Sequence, residues 1–189
     1  MMARQHISRK GNFDAGHRVM NEAMKCFNLH GHTYLFELAF GFNSVAPIGY
    51  AIDFKEIKRV GCQWIDDLLD HGMILNPTDE TVIKTVEGLG SKLWLMSLNG
   101  AGQYCNPTVE NIAREVFMAM QILFDQGRSE GGYGLQIDEV VIWETPNCAT
   151  RCRSDSISSV ERNNFHNARF DQIDQYRIRK GELEYDDRL

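Results

Sequence analysis

The chain reads as an α+β fold: an antiparallel sheet of four strands with two main helices on one face. Two observations carry this expectation. Segments with strand-like alternation lie towards both ends of the sequence, and segments with apolar residues at helical spacing lie between them. The resulting order is β-β-α-α-β-β, and 189 residues fit one domain with an appendage.

Residues 4 to 20 form the first strand and its exit. Residues 32 to 43, HTYLFELAFGFN, form the second, with Tyr34, Phe36, Leu38, Phe40 and Phe42 on one face and Thr33, Glu37 and Gly41 on the other. After a loop with Pro47 and Gly49, the stretch DFKEIKRVGCQWIDDLL spaces Ile57, Val60, Trp64 and Leu68 as a helix, with Asp53 as its N-cap. The second helix opens at NPTVEN. Asn106 is its expected cap and Pro107 its first residue, and Val109, Ile112, Ala113, Val116, Phe117 and Met120 form its apolar stripe. A glycine-rich turn, SEGGYG, leads to LQIDEVVIWET, the third strand, and ATRCRS, a short fourth.

Two segments lie outside this plan. Residues 77 to 105 hold an extra helix in TVIKTVEGLGSKLWLMSL, and residues 155 to 189 form a polar, charged tail, peripheral and partly helical or disordered. The expected division is a domain over residues 1–154, with the insertion at 77–105, followed by a polar extension over 155–189.

Composition narrows the function. A hydrophobic fraction of 43% is ordinary for a globular core, and no apolar run is long enough to span a bilayer. The first residues, MMARQHISRKGNF, lack the apolar stretch of a signal peptide, and five scattered cysteines do not suggest a disulfide scaffold, so a cytoplasmic setting is expected. A net charge of −6 argues against a nucleic-acid surface. It leaves room for an anionic small molecule, since Lys10, Arg18 and Lys25 lie near the segment of most interest.

That segment is CFNLHGHTYLFELAF. Residues two apart on a strand point to the same side, so His30 and His32 can reach one point, and His17 on the neighbouring strand offers a third nitrogen. Three histidines with one open position make a catalytic zinc site; two alone can equally be ordinary strand residues. Cys26 stands four positions before His30. A thiol beside a dication can act as base or nucleophile, though a zinc ligand or an inert loop thiol fits the spacing too. Cys62 reads as a packing residue, and Cys148 with Cys152 as a weaker metal candidate. Asp70 and His71 form a carboxylate–imidazole pair in a loop, an acid–base unit. Glu144, at the end of a strand in WET, can take a two-point hydrogen bond from a guanidine-like ring edge; a surface carboxylate is the plainer alternative.

In order, FDAGH, CFNLHGHTY, YAIDF, LDH, NPTVEN and WET resemble the 6-pyruvoyltetrahydropterin synthase / 6-carboxytetrahydropterin synthase family of the tunnelling fold. The resemblance covers roughly residues 6 to 152, apart from 77–105. It implies that His17, His30 and His32 bind Zn2+, that Cys26 is the catalytic base, and that Asp70 and His71 complete the proton relay. It also implies that Glu144 anchors the pterin ring, and that Thr108 and Glu110 line its pocket. Subunits of this fold close their sheets into barrels, usually as hexamers with sites between subunits.

The C-x3-H-G-H spacing and AIDF are closer to the bacterial carboxy enzymes of queuosine (7-deazaguanine) synthesis than to the animal pyruvoyl enzymes, whose spacing is C-x5-H-G-H. A folate-pathway variant carries glutamate in place of the cysteine, and Cys26 argues against that branch. The implied reaction converts 7,8-dihydroneopterin triphosphate to 6-carboxy-5,6,7,8-tetrahydropterin with release of acetaldehyde and triphosphate. Gly16 stands where the family usually has alanine, a departure expected to be harmless. The insertion falls between two pocket segments, and the tail has no family counterpart.

Overall fold

The computed structural model describes residues 5–98, 105–125 and 134–181, and the structural statements below concern these. The turn SEGGYG up to residue 133, residues 99–104 of the insertion and the tail from residue 182 lie outside them.

The long strands β1 (Gln5–Arg18) and β2 (His30–Phe42) pair antiparallel along their whole length, from Gln5 opposite Phe42 to His17 opposite His30. β5 (Gln136–Thr145) and β6 (Cys148–Arg153) extend the sheet beyond β2, also antiparallel. On the other side the sheet goes further than expected. β3 (Gly72–Leu75) runs parallel to the end of β1, and β4 (Leu93–Leu95) runs parallel to β3. The sheet is therefore six-stranded and mixed, in the order β4-β3-β1-β2-β5-β6, where a four-stranded antiparallel sheet was expected. Strands of four and three residues are too short to display an alternation in sequence.

Helices cover one face of this sheet. Phe13 and Ala15 from β1, and Tyr34, Phe36, Leu38, Phe40 and Phe42 from β2, are buried against them. The first helical stretch consists of α1 (Phe54–Glu56), a wider π segment (Ile57–Cys62) and α2 (Gln63–Leu68). Asp53 caps it, its carboxylate accepting from the Lys55 N–H at 2.8 Å. Ile57, Val60 and Trp64 are buried as their spacing predicts.

The second main helix is α4 (Val109–Leu123), which buries Ile112, Ala113, Val116, Phe117 and Met120. Its cap is Thr108 and not Asn106. The Asn106 side chain is committed elsewhere, its Oδ1 accepting from the Met20 N–H at 2.8 Å and from Asn76 Nδ2 at 2.9 Å.

The insertion holds a shorter helix than expected, α3 (Glu80–Gly88), followed by β4. Gly90, at φ +66°, turns the chain between them in a conformation that suits glycine. The tail forms α5 (Ser159–Lys180), a third long helix started by a Ser158–Glu161 capping box and burying Phe165, Ile173 and Tyr176. It joins the packed structure. Asn164 donates to the Leu98 carbonyl at 2.8 Å, Tyr176 donates to Asp67 at 2.7 Å, and the Arg169 guanidinium lies 4.3 Å from the Trp94 ring centre. Tail and insertion thus pack against each other. Among the described residues, no helix is long and apolar enough to cross a membrane.

Candidate active site

The apolar stripe of β2 does not stop at Tyr34. The same alternation carries His32 and His30 onto the helix-covered face, and His17 meets them there from β1. Gly31 lets the two strands come this close, since a Cβ at that position would stand 2.9 Å from the Ala15 carbonyl oxygen. Gly16 on β1 leaves its space to Met73, whose sulfur lies 2.4 Å from where an alanine Cβ would be. The ligand-capable nitrogens of His17, His30 and His32 all lie within 4.8 Å of one another. His17 is buried and the other two are partly exposed.

The hydrogen bonds of two of these rings define their chemistry. His17 Nδ1 lies 2.7 Å from the Pro107 carbonyl oxygen, and His30 Nδ1 lies 2.7 Å from that of Asn28. A carbonyl accepts only, so both Nδ1 atoms carry the hydrogen and, in the neutral rings, both Nε2 atoms present lone pairs. Those two Nε2 atoms face each other at 3.1 Å. Two lone pairs at that distance repel unless a cation lies between them. Burial pushes the His17 pKa down, against the pull of its Pro107 hydrogen bond, and the neighbouring His30 and His32 lower it further. Neutral imidazoles held by carbonyls behind them and converging on one point fit a zinc ion with an open position.

Glu144 stands at the rim, its Oε1 3.9 Å from His17 Nε2 and 4.0 Å from His32 Nε2. Cys26 lies in a 3-10 turn (Lys25–Phe27) between β1 and β2, outside the group of clustered ligand atoms. Tyr34, on the apolar face of β2, is fully buried, its ring edge-on to His17 and His32, and its hydroxyl has no hydrogen-bond partner among the described residues. Burial pushes its pKa up, and the charges of Glu144 and Cys26 act in the same direction, so it stays a donor. The available signal was a single hydroxyl in a stripe of phenylalanines directly after H-G-H.

Asp70 and His71 come together, but on the other side of the sheet. His71 Nδ1 donates to Asp70 Oδ2 at 2.6 Å, and the Asp14 N–H donates to Asp70 Oδ1 at 2.7 Å. Thr33 donates to Asp14 at 2.5 Å. Asp14 and Thr33 alternate with the histidines along β1 and β2, so they belong to the opposite face. Burial alone would raise the Asp70 pKa. The hydrogen bonds from Asp14 and His71 and the charges of His71 and Lys92 outweigh it and hold the carboxyl below the usual range. His71 has φ 55°, rare for a residue with a side chain, and is fixed by its N–H bond to the Asp14 carbonyl at 2.7 Å. Its side chain is 75% exposed. The open cleft on this side, ≈ 450 Å³, is lined by Asp14, Gly16, Gly31, Thr33 and His71 and reaches His32.

The remaining candidates are more scattered. Thr108 caps α4, next to the Pro107 carbonyl that orients His17, while Glu110 is exposed in the first turn of that helix. Cys148 is exposed and Cys152 is buried, and neither joins a group of three possible ligands among the described residues.

The mixed sheet with helices on one face, shared with solved pterin synthases, is the tunnelling fold. Residues 6–155 match the family model described as 6-pyruvoyl tetrahydropterin synthase, and the chain belongs to that family, whose reactions are of the lyase type. It is 35% identical over 146 residues to the 6-carboxy-5,6,7,8-tetrahydropterin synthase of Rickettsia felis, covering 75% of this chain and 94% of that one. It is 30% identical to the enzyme of the same name from Haemophilus influenzae, over 74% and 92% of the two chains.

Solved structures share the fold at lower identity. An uncharacterized protein of Wolinella succinogenes matches with a TM-score of 0.60 at 18% identity, over 80% of this chain and 99% of that one. The 6-pyruvoyl tetrahydropterin synthase of Plasmodium vivax matches with 0.54 at 15%, over 79% and 97%.

Proposed function

We propose that the protein is a 6-carboxy-5,6,7,8-tetrahydropterin synthase. It converts 7,8-dihydroneopterin triphosphate and one water to 6-carboxytetrahydropterin, with release of acetaldehyde and triphosphate, in the cytoplasmic synthesis of queuosine-type 7-deazaguanines. The observation that carries the reading is the match to bacterial relatives of that name across nearly their full length. Cys26, four residues before His30, agrees with it.

His17, His30 and His32 would hold zinc, which supplies Lewis acidity towards oxygens of the substrate side chain. The residues of the chain do the rest. Glu144 accepts the ring N–H groups of the pterin and fixes its orientation, with Thr108 and Glu110 along the pocket. Cys26 takes a proton from the side chain. His71, oriented by Asp70, delivers or removes the second.

His71 lies on the opposite face from the histidine cluster of its own chain, so we assign it to the site of a neighbouring copy in a homo-oligomer, a hexamer in this reading. The free edges of β6 and of the first part of β1 would be covered by the same assembly.

The test is to supply 7,8-dihydroneopterin triphosphate to the zinc-loaded protein and identify the products by mass spectrometry. Acetaldehyde with a carboxylated tetrahydropterin is expected. A pyruvoyl product without acetaldehyde would assign the sister activity, and no turnover at full zinc loading would make the protein a pterin-binding module.

A further inference from the structure

We infer that Arg18 and Asp79 form a clamp that positions the turn carrying Cys26, so that the inserted segment takes part in setting the thiol's place. The inference rests on the reading of Cys26 as the base.

The turn needs such a device. Lys25 is exposed and Cys26 and Phe27 are only partly buried, so burial in the core does not fix it. The Phe27 N–H bond to Met24 (3.1 Å) and the Asn28 N–H bond to Lys25 (3.1 Å) shape the turn internally. A single backbone bond, from the Val19 N–H to the Cys26 carbonyl at 2.8 Å, ties it to the end of β1. One bond leaves the turn free to pivot.

Arg18 removes that freedom. Its Nε donates to the Phe27 carbonyl at 2.8 Å, and its guanidinium lies 4.0 Å from the centre of the Phe27 ring. The residue beside Cys26 is therefore held by backbone and side chain at once. The guanidinium is held in turn by Asp79, with Nη1 at 3.3 Å and 3.5 Å from the two carboxylate oxygens. Asp79 is only 3% exposed, which makes it a fixed anchor and not a surface partner. Its N–H donates to the Asn76 carbonyl at 3.0 Å, and Asn76 reaches Asn106, which also accepts from the Met20 N–H. On the far side of the turn, the Asn28 carbonyl accepts from His30. The turn thus hangs between a metal-ligand candidate and a partly buried ion pair. Lysine could keep the charge of Arg18, but a single ammonium cannot replace the planar fork that meets Phe27 and Asp79 together.

Arg18→Lys and Asp79→Asn in the full-length, zinc-loaded protein test the clamp. Both are expected to keep the zinc and to lower kcat by about 10- to 100-fold, the scale of a misplaced catalytic group. KM should stay within about threefold, since the lost contacts act on the catalyst and not on substrate binding. Iodoacetamide labelling, resolved by peptide, should be at least about fivefold faster at Cys26 as the turn loosens, with exposed Cys148 as the internal standard.

Unchanged kcat and unchanged Cys26 labelling in folded variants would overturn the clamp. So would a fall in kcat with unchanged labelling, since the effect would then bypass the turn. If Arg18→Lys does not fold, the isosteric Asp79→Asn decides alone. If the wild-type protein turns over no substrate, the functional reading fails, and the labelling comparison still judges the clamp.

Discussion

The two faces of one end of the sheet are built in contrasting ways. On the helix-covered face, the nitrogens of His17, His30 and His32 converge within 4.8 Å of one another, with Pro107 and Asn28 carbonyls fixing two of the rings. On the other face, Asp14, Thr33, Asp70 and His71 form a hydrogen-bonded chain that ends in an exposed imidazole. The first arrangement is complete within one chain. The second is hydrogen-bonded throughout but ends in a side chain that faces solvent. Binding a cation needs convergent lone pairs, and neighbouring strands supply them. Proton transfer needs contact with the substrate, which in the function proposed above reaches the pair from a second copy.

Substitutions can break either side of this contrast. The largest effect is expected from His32→Ala, which removes one of three ligands. Zinc measured by elemental analysis should fall to near zero, and activity with it. Full zinc content would mean that the metal lies elsewhere. Next come Cys26→Ala and His71→Ala. Both should retain zinc and fold, yet turn over at least ~100-fold more slowly, the contribution of a positioned base or acid. Loss of zinc in Cys26→Ala would make the thiol a ligand.

Glu144→Ala should leave the metal in place and weaken pterin binding by about 2–3 kcal/mol, read by calorimetry, because a charged hydrogen-bond acceptor is lost. Unchanged affinity would return Glu144 to the surface.

The smallest effect is one of pH. Burial holds the His17 pKa below its ordinary 6.5, so the unfolded chain binds more protons than the folded one as pH falls past that value. Stability of the metal-free protein should be full above pH 6.5 and decline below it, towards the lowered folded-state value. Denaturant titrations of wild type and His17→Asn at pH 7.5 and pH 5.5 (about one unit either side) should show a steeper loss in the wild type. Equal losses would remove His17 as the cause.

Much of this architecture was legible in the sequence. The stripe from Tyr34 to Phe42 and the placement of His30 and His32 follow from a period of two, and the buried faces of the first helical stretch and of α4 from a period near 3.6. What escaped had no period to show. β3 and β4 are too short, and β3 pairs with β1, far away in sequence. In α5 only Phe165, Ile173 and Tyr176 are buried within 22 residues, so a packed helix reads as a polar tail. Asn106 had the right chemistry for a cap, but a tertiary bond to Met20 claims it and Thr108 takes the role. That Asp70 and His71 face away from the histidines could not be read from their adjacency. It depends on the fold returning β3 alongside β1 and on the Asp14 N–H receiving the carboxylate.

Complementation between copies decides whether one site draws on two chains. Cys26→Ala and His71→Ala chains, co-expressed with different tags and purified through both, are expected to yield mixed oligomers. If the thiol and the imidazole of one site come from different copies, random mixing restores about one site in four, and activity should return to about a quarter of wild type. If mixed oligomers of native size remain as inactive as either parent, the thiol and the imidazole serve the same chain's site, and the two-copy account is wrong.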